Sequence, residues 1–335
     1  MFDYTGNAHA QQGANVIRIL AAAAALVALT SFHAGAQNFP TKPIKILVGF
    51  PAGGPSDIPA RMIAEKLQQA LGQPVVVENK TGASGMIALK DMLAQPRDGH
   101  TLLLCSYIDA INPLIYKKVD YRLDDIVPVS LIQKAYYAIA VPNATPANTV
   151  QEFMAYAKSK PAGALNYGRV GSGSVTEYLA RQFAKTAGFS MTGVTFRGTG
   201  PALQEMVADR LDFMVGPLFL TMPLYEGKKM KVLAMTSPER LAVAPDVPTL
   251  KEQGVPIVSY GWWGVCAGSG TPQPILETVN RQVAAIVNAP EFKAALEKTG
   301  VVAGASSLTE SATVWRDTTA EAAQIFKEIG MEPID

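Results

Sequence analysis

The sequence has 335 residues, of which 48% are apolar and 17% charged, and its 29 basic and 28 acidic residues leave a formal charge of +1. This length suits about two domains, and the composition excludes a disordered chain, because disorder needs low hydrophobicity combined with high net charge. The balanced charge removes the support that a strongly basic face would lend to nucleic-acid binding.

The N-terminal stretch predicts a secretory signal peptide over residues 1–36. Arg18 precedes an eleven-residue apolar run, Ile19–Leu29, and the small residues Ala34-Gly35-Ala36 follow as a cleavage site. The run is too short to span a membrane, which takes roughly 20 apolar residues; a buried N-terminal helix is the alternative. We therefore expect a soluble protein that begins near Gln37 and is exported to an oxidising compartment.

Histidine is scarce, and this limits the available chemistry. The chain has three histidines, and cleavage would remove His9 and His33. A single imidazole cannot build a multi-histidine zinc site, so we expect no metal and no cofactor. The remaining His100 follows Asp98-Gly99, and we expect it on the surface of a turn.

Two cysteines, Cys105 and Cys266, each lie at the end of an apolar, strand-like run. In an oxidising compartment they would be able to pair. Cysteine is also often a small buried hydrophobe with a free thiol. Both alternatives stay open at this point.

From Pro43 onward, short apolar strands alternate with amphipathic helices, a pattern that favours an open α/β sheet. Strands are predicted at residues 44–48, 75–78, 101–104, 136–141, 165–168, 193–196, 213–215, 232–235 and 262–267. Helices are predicted after Ser56 and after Gly85, at residues 150–158 and 175–187, from Pro201, at residues 273–288 and 291–299, and from Thr309. Ser56 and Ser174 are expected to cap their helices.

Four glycine-containing loops lie between a predicted strand and a predicted helix, at residues 52–57, 81–85, 171–174 and 197–200. Glycine lets the backbone approach a ligand, and a helix N-terminus offers free N–H donors with partial positive charge. Such loops lie at the carboxyl ends of strands, where ligands of open sheets bind. The repeated arrangement predicts a cleft for an anionic small molecule.

The anion is better interpreted as a carboxylate than as a phosphate. The phosphate-binding pattern Gly-x-x-x-x-Gly-Lys-Ser/Thr is absent from the sequence, and no Gly-x-Gly-x-x-Gly follows the first strand.

Several segments resemble one family, the Bug receptors, which are periplasmic solute-binding proteins of tripartite tricarboxylate transport (TTT) systems. The similarity covers nearly all of the mature chain in the family's order. The segments that carry it are residues 40–44, 50–57 (Phe-Pro-Ala-Gly-Gly-Pro-Ser-Asp), 72–79, 98–103, 112–118, 165–168, 198–202 and 245–249 (Pro-Asp-Val-Pro-Thr).

The resemblance implies a two-domain, type II-like Venus flytrap in which each domain is an open mixed sheet flanked by helices. Domain 1 would take residues 37–140 and 260–335, and domain 2 would take residues 141–259. The crossings would lie at 136–141 and 262–267. The resemblance also implies that Cys105 and Cys266 are neighbours, which favours a disulfide between them.

The resemblance further implies a carboxylate site made of backbone N–H groups and small side chains. From domain 1 it implies Phe50, Ala52, Gly53, Ser56, Thr81, Ala83 and Ser84, and from domain 2 it implies Gly171, Ser172, Ser174, Arg197, Gly198 and Thr199. Asp57 matches a family aspartate, and we interpret it as structural, because a carboxylate stabilises a helix N-terminus.

This chain departs from the family pattern at three places. Glu177 stands where a histidine is frequent, Gly216 where an aspartate is common, and Tyr107 where a small polar residue is usual. Gly216 weakens the case for an amino group on the ligand. Tyr107, with Trp262 and Trp263, favours an aromatic or bulky carboxylate, although inter-domain packing is the alternative for the tryptophans.

Arginine side chains are a further way to hold a carboxylate. Arg197 lies in a proposed site loop and is a candidate for bidentate binding. Arg61 lies inside the first helix and is interpreted as one half of a structural ion pair.

We predict a binding receptor that closes over a small carboxylate and delivers it to a membrane permease of the TTT type. Presentation of the ligand to a sensor kinase is an alternative. A serine hydrolase using Ser56 or Ser172 is a weaker one, because Gly-x-Ser-x-Gly is absent from the sequence. We expect a monomer that is not an enzyme and binds no nucleic acid.

Overall fold

The computed structural model describes residues 39–170, 174–196, 198–297 and 300–335. The predicted signal peptide, with His9 and His33, lies outside the described residues. The strands are β1 Ile44–Val48, β2 Val75–Asn79, β3 Thr101–Ser106, β4 Ile126–Val141, β5 Leu165–Arg169, β6 Met191–Thr195, β7 Phe213–Pro217, β8 Lys231–Met235, β9 Tyr260–Gly268 and β10 Val301–Ala303. The helices are α1 Asp57–Leu71, α2 Met86–Ala94, α3 Tyr107–Ile115, α4 Val150–Lys158, α5 Val175–Ala187, α6 Thr199–Val207, α7 Leu218–Glu226, α8 Gln273–Asn288, α9 Pro290–Glu297 and α10 Leu308–Ile329.

The strands form one mixed sheet in the order β2-β1-β3-β9-β4-β7-β5-β6, with β8 and β10 also paired to β4. The strands β1, β2 and β3 are parallel, and β9 runs antiparallel to both β3 and β4. In the other half, β5 is parallel to β6 and β7. Within each half, the carboxyl ends of the parallel strands lie at the same edge of the sheet. The loops that follow these strands therefore also lie at that edge.

Strand β4 joins the two halves of the sheet. Its residues from Ile126 to Tyr136 pair with β9, and those from Tyr137 to Val141 pair with β7 and β8. Only residues 136–141 were predicted as strand, because Pro128, Gln133 and Lys134 interrupt the apolar run. The change of partner occurs between Tyr136 and Tyr137.

The chain returns to the first half just before β9. The Ser259 N–H donates to the Thr236 carbonyl at 3.0 Å, and the Thr236 hydroxyl donates to the Ser259 carbonyl at 2.6 Å. The Tyr137 N–H donates to the same hydroxyl at 2.9 Å. These bonds tie both connections together. They lie directly before the start of β9 at Tyr260.

Helix α10 is a further link between the halves. It packs against α3 and β4, and also against α5 of the second half. The Arg181 guanidinium donates to the carbonyl of Ile329 at 2.7 Å. Beyond α10, Ile334 pairs with Tyr116 in a parallel bridge.

Helices α3 and α7 were not predicted from the sequence. Each contains a proline, Pro113 and Pro223, a residue that is disfavoured inside a helix. Each helix has only nine residues, so the proline interrupts little backbone bonding. Helix α3 begins with a capping box in which Asp109 accepts from the N–H and hydroxyl of Ser106.

The expectation that His100 is a surface residue is wrong. Its side chain is buried, its Nε2 accepts from the Thr41 N–H at 3.1 Å, and its ring meets that of Phe39 edge-on at 4.9 Å. This histidine fastens the N-terminal segment to the turn that precedes β3.

The disulfide between Cys105 and Cys266 is present, with a Cα–Cα distance of 5.8 Å. It joins the adjacent antiparallel strands β3 and β9, and both residues are buried. The alternative of two free thiols is therefore wrong.

Within the described ranges, no helix is both long and apolar enough to cross a membrane. The same residues contain no group of three or more His, Cys, Asp or Glu side chains placed to hold a metal ion.

Candidate functional site

A cavity of about 810 Å³ lies between the two halves, and we call it the cleft. The first half contributes most of the loop after β1, with Ser84 and one side of α3. The second half contributes residues before and at the starts of α5, α6 and α7. The lining residues are Phe50, Pro51, Ala52, Gly53, Gly54, Pro55, Ser56, Ser84, Tyr107, Ile108, Ile111, Asn112, Ile115, Tyr116, Ala135, Tyr137, Val170, Ser174, Val175, Thr176, Gly198, Thr199, Gly200, Pro217, Phe219, Leu220, Trp263 and Ile334.

The cleft is mainly apolar, and none of the described lining residues is charged. Its polar groups are hydroxyls, one carboxamide, the indole N–H of Trp263 and backbone amides. Any anion held by these residues is therefore bound by dipoles rather than by a lysine or arginine.

The loop after β1, residues 50–56, is held in shape by Asp57. The Asp57 carboxylate accepts from the Gly53 N–H at 2.8 Å, from Arg61 Nε at 2.9 Å and from Asn79 Nδ2 at 2.9 Å. Asn79 also donates to the Phe50 carbonyl at 3.0 Å. Both carboxylate oxygens have partners, in agreement with a structural role for Asp57 and an ion-pair role for Arg61.

The electrostatics of Asp57 fit this role. Burial by itself raises the pKa of the carboxyl, but the hydrogen bonds from Arg61, the Gly53 N–H and Asn79 outweigh burial and lower it. The group is ionised at neutral pH, and its oxygens are bonded to the loop, to α1 and to β2.

Several backbone donors at the cleft are unused. The Gly53 and Gly54 N–H groups bond within their own loop, to Asp57 and Pro51. By contrast, the N–H groups of Ala52, Ser56 and Ser84 have no hydrogen-bond partner among the described residues. Unused amides beside the N-terminus of α1 are the donors that a carboxylate needs.

The loop after β2 presents Ser84 to the cleft. The Ser84 hydroxyl lies 2.6 Å from the Tyr116 hydroxyl, and Asn112 donates to the Ser84 carbonyl at 3.2 Å. Ala83 and Ser84 both have positive φ, 45° and 52°. This left-handed backbone is costly outside glycine, and the contacts from α3 and Tyr116 hold it in place.

The second half contributes helix starts. Ser174 caps α5 by accepting from the Glu177 N–H at 3.3 Å, and Gly198 precedes α6 with a φ of 131°. With Thr176 and Thr199, these residues line the cleft opposite the first half. Gly171, Ser172 and Arg197, which were also predicted, lie outside the described residues.

Aromatic rings form one wall of the cleft. Tyr107 meets Trp263 edge-on at 6.2 Å and 90°, and Tyr137 lies beside Tyr107. Gly261 leaves room for both tyrosines, since a Cβ there would lie 2.9 Å from a Tyr107 ring carbon and from the Tyr137 hydroxyl. Burial raises the pKa of Tyr107 to about 12, so its phenol is neutral and brings no charge to the cleft.

The prediction that Trp262 faces the cleft is wrong. Successive residues of a strand point to opposite faces, so Trp263 faces the cleft and Trp262 faces away. Trp262 packs against Trp315 and donates to the Thr318 hydroxyl at 2.9 Å. Trp262 belongs to a buried cluster with Leu103 and Trp315, so this is packing within the first half and not the inter-domain packing given as the alternative.

Three further predicted residues do not line the cleft. Thr81 and Ala83 are exposed on the outer side of their loop, and only Ser84 turns inward. Gly216 is buried within β7, where a Cβ would lie 2.6 Å from Thr221. The expected cap role of the Ser56 side chain is also absent, because Ser56 accepts a hydrogen bond from Trp263 instead.

The apolar side chains of the cleft were missed by sequence analysis. Ile111 and Ile115 come from α3, and Phe219 and Leu220 from α7. Neither helix was predicted from the sequence. The signal that was available is the apolar spacing in Ile108, Ile111 and Ile115, which fits one helix face.

The buried Asp109 predicts a pH dependence of stability. Burial raises its pKa to about 7, against the hydrogen bonds from Ser106. In the unfolded chain the Asp109 carboxyl loses its proton near pH 4, whereas in the folded protein it keeps the proton to about pH 7. The free energy of unfolding therefore falls as the pH rises from about 4 to 7. We expect the Asp109→Asn variant to lose a few kcal/mol less free energy of unfolding over this range than the wild type.

Urea denaturation at pH 4.5 and 7.5 measures this difference. Asp125→Asn is the matched control, because Asp125 caps an exposed turn in the same way. Equal pH dependence in wild type and Asp109→Asn would show that the buried carboxyl does not titrate in this range.

Comparison with known proteins gives consistent similarities. A family model described as "Tripartite tricarboxylate transporter family receptor" matches residues 59–331. A UPF0065 protein from the tcbD–tcbE intergenic region of Pseudomonas sp. (strain P51) is 32% identical over 294 residues, covering 86% of this chain and 87% of that protein.

Two solved structures extend the similarity to the fold. Rpa4515 of R. palustris, solved with adipate, has 28% identity and a TM-score of 0.79, covering 88% of this chain and 100% of that one. The periplasmic binding protein BugD has 27% identity and a TM-score of 0.75, with 88% and 100% coverage. The mixed α/β fold is that of a periplasmic binding protein, as the resemblance implied.

Proposed function

We propose that this chain, which belongs to the tripartite tricarboxylate transporter receptor family, binds a small carboxylate with an apolar body in the cleft. The observation that carries the proposal is the cleft itself. Ala52, Ser56 and Ser84 line it, their N–H groups have no hydrogen-bond partner among the described residues, and none of the described lining residues is charged.

The donors at the first half suit a carboxylate in particular. An amide N–H donates and cannot accept, so a cluster of them favours a ligand group that only accepts. The partial positive charge at the start of α1 adds to this preference.

The remainder of the cleft indicates the body of the ligand. This part of the cleft is lined by three aromatic rings and two further apolar side chains, those of Phe50, Tyr107, Trp263, Ile111 and Phe219. Apolar burial contributes about 25 cal/mol per Å², so an aliphatic or aromatic body stabilises the complex. Rpa4515, solved with adipate, has the same fold, and adipate has this character.

We propose that the chain forms two lobes that close over the ligand. The lobes follow the domain division that the resemblance implied, except that the first boundary is moved. The change of partner along β4 supports a boundary at 136–137 rather than 140–141, and the return at 259–260 agrees with the second boundary. The ligand would favour the closed state through contacts that only that state makes.

We further propose export by a signal peptide cleaved near Ala36, action as a monomer, and delivery to membrane permease subunits. The family description supports a transporter partner, and the comparisons favour neither the sensor-kinase nor the hydrolase alternative. The Ser56 hydroxyl, a candidate nucleophile, is paired with a tryptophan rather than a base, so no covalent step is proposed.

A thermal-shift screen tests the ligand class. We expect phenylacetate, hexanoate or adipate to raise the melting temperature, because a ligand at a hundredfold excess over its dissociation constant stabilises by about 2.7 kcal/mol. Phenethylamine, hexanol and glucose, as amine and neutral controls, are expected to leave it unchanged. Stabilisation by the amine or the sugar without any carboxylate would contradict the proposal.

A further inference from the structure

Trp263 contacts the loop after β1 through a hydrogen bond between side chains that are distant in sequence. Its indole Nε1–H donates to the Ser56 hydroxyl oxygen at 2.9 Å, across 207 positions of sequence. Both residues are buried, with 8% of Trp263 and 5% of Ser56 exposed to solvent. An indole N–H has no acceptor capacity, so Ser56 is the acceptor in this bond.

The hydrogen of the Ser56 hydroxyl is consequently left for another partner. Within the described ranges, the bond from Trp263 is the one hydrogen bond that the Ser56 side chain forms. Ser56 lines the cleft. A ligand that supplies an acceptor there completes the hydroxyl's bonding.

The indole is itself held firmly. Trp263 lies on β9 between β3 and β4, in register with Ser106 and Gln133. Its ring contacts Tyr107 edge-on. The direction of its N–H is therefore fixed by the sheet and not by the ligand.

We infer that Trp263 is a positioning residue that commits the Ser56 hydroxyl to donate into the cleft. Together with the free N–H groups of Ala52 and Ser56, this hydroxyl forms a set of donors without an acceptor. Such a set accepts a carboxylate and rejects a carboxamide, whose NH₂ would face donors. The inference rests on the proposed function and explains its selectivity for acids over amides.

The test compares an acid and its amide, phenylacetate and phenylacetamide, by calorimetric titration. Trp263→Phe removes the N–H and keeps an aromatic ring. We expect it to weaken phenylacetate binding about threefold to tenfold, the worth of one hydrogen bond, and to lower the acid-to-amide affinity ratio by the same factor. On a Ser56→Ala background, the same change is expected to leave the ratio unaltered.

Trp262→Phe is the matched control, because it removes an indole N–H on the opposite face of β9, where the partner is Thr318. The ratio is expected to stay at the wild-type value. An unchanged ratio in Trp263→Phe, or an equal fall in both variants, overturns the inference while leaving the proposed function standing. A wild type that binds no carboxylate overturns the proposed function, and this inference with it.

Discussion

Replacing Gly49 with alanine is expected to weaken ligand binding by more than tenfold and to lower the free energy of unfolding by about 1–3 kcal/mol. Gly49 directly follows β1, and a Cβ there would lie 2.5 Å from the Cα of Gly85 and 3.0 Å from its carbonyl oxygen. Because the obstacle is backbone, the loop containing Ser84 must move as a whole. The N–H group of Ser84 would then move away from the N–H groups of Ala52 and Ser56, and the ligand carboxylate would lose part of its donors.

Titration with phenylacetate and urea denaturation measure the two effects. Gly304→Ala is the matched control, because a Cβ there has no atom within 4 Å and Gly304 does not line the cleft. If Gly49→Ala binds as the wild type does, the close approach of the two loops is unimportant for the site.

Removing the disulfide with Cys105→Ala and Cys266→Ala is expected to cost about 2–5 kcal/mol of the free energy of unfolding. The bond closes a loop with a sequence separation of 161, so it restricts a large part of the unfolded chain. Ligand binding is expected to persist, because the cleft is lined by other residues.

In the matched experiment, the free energy of unfolding of the wild type and of the double variant is measured by urea denaturation with and without dithiothreitol. The wild type is expected to fall to the stability of the double variant, and the double variant to stay unchanged. A loss below about 1 kcal/mol in the double variant would mean that the buried strand pairing of β3 and β9 suffices on its own.

The sequence predicted those parts of the fold that depend on local pattern. Helices α4 and α5 have the predicted bounds because Thr149 and Ser174 cap them and their apolar faces are regular. The loops after β1 and β2 were also located from local pattern, because a strand, glycine residues and a helix follow one another directly in the sequence.

Features that depend on distant residues were less predictable. The face on which Trp262 or Trp263 lies depends on the register of β9 against β3 and β4, and adjacent positions give opposite answers. The burial of His100 depends on Phe39 and Thr41, some 60 positions earlier. The bond from Trp263 to Ser56 has no sequence signal, because it exists only once β9 has joined the first half.

The account depends most on the claim that donors of the loop after β1, the N–H groups of Ala52 and Ser56 and the Ser56 hydroxyl, select an acid over its amide. Calorimetric titration of the wild type with phenylacetate and phenylacetamide tests it directly, because the two differ only in the group that would meet Ala52, Ser56 and Ser84. We predict that the acid binds at least about tenfold more tightly, the equivalent of one charge-assisted hydrogen bond. Equal binding of acid and amide, or preference for the amide, would contradict the account.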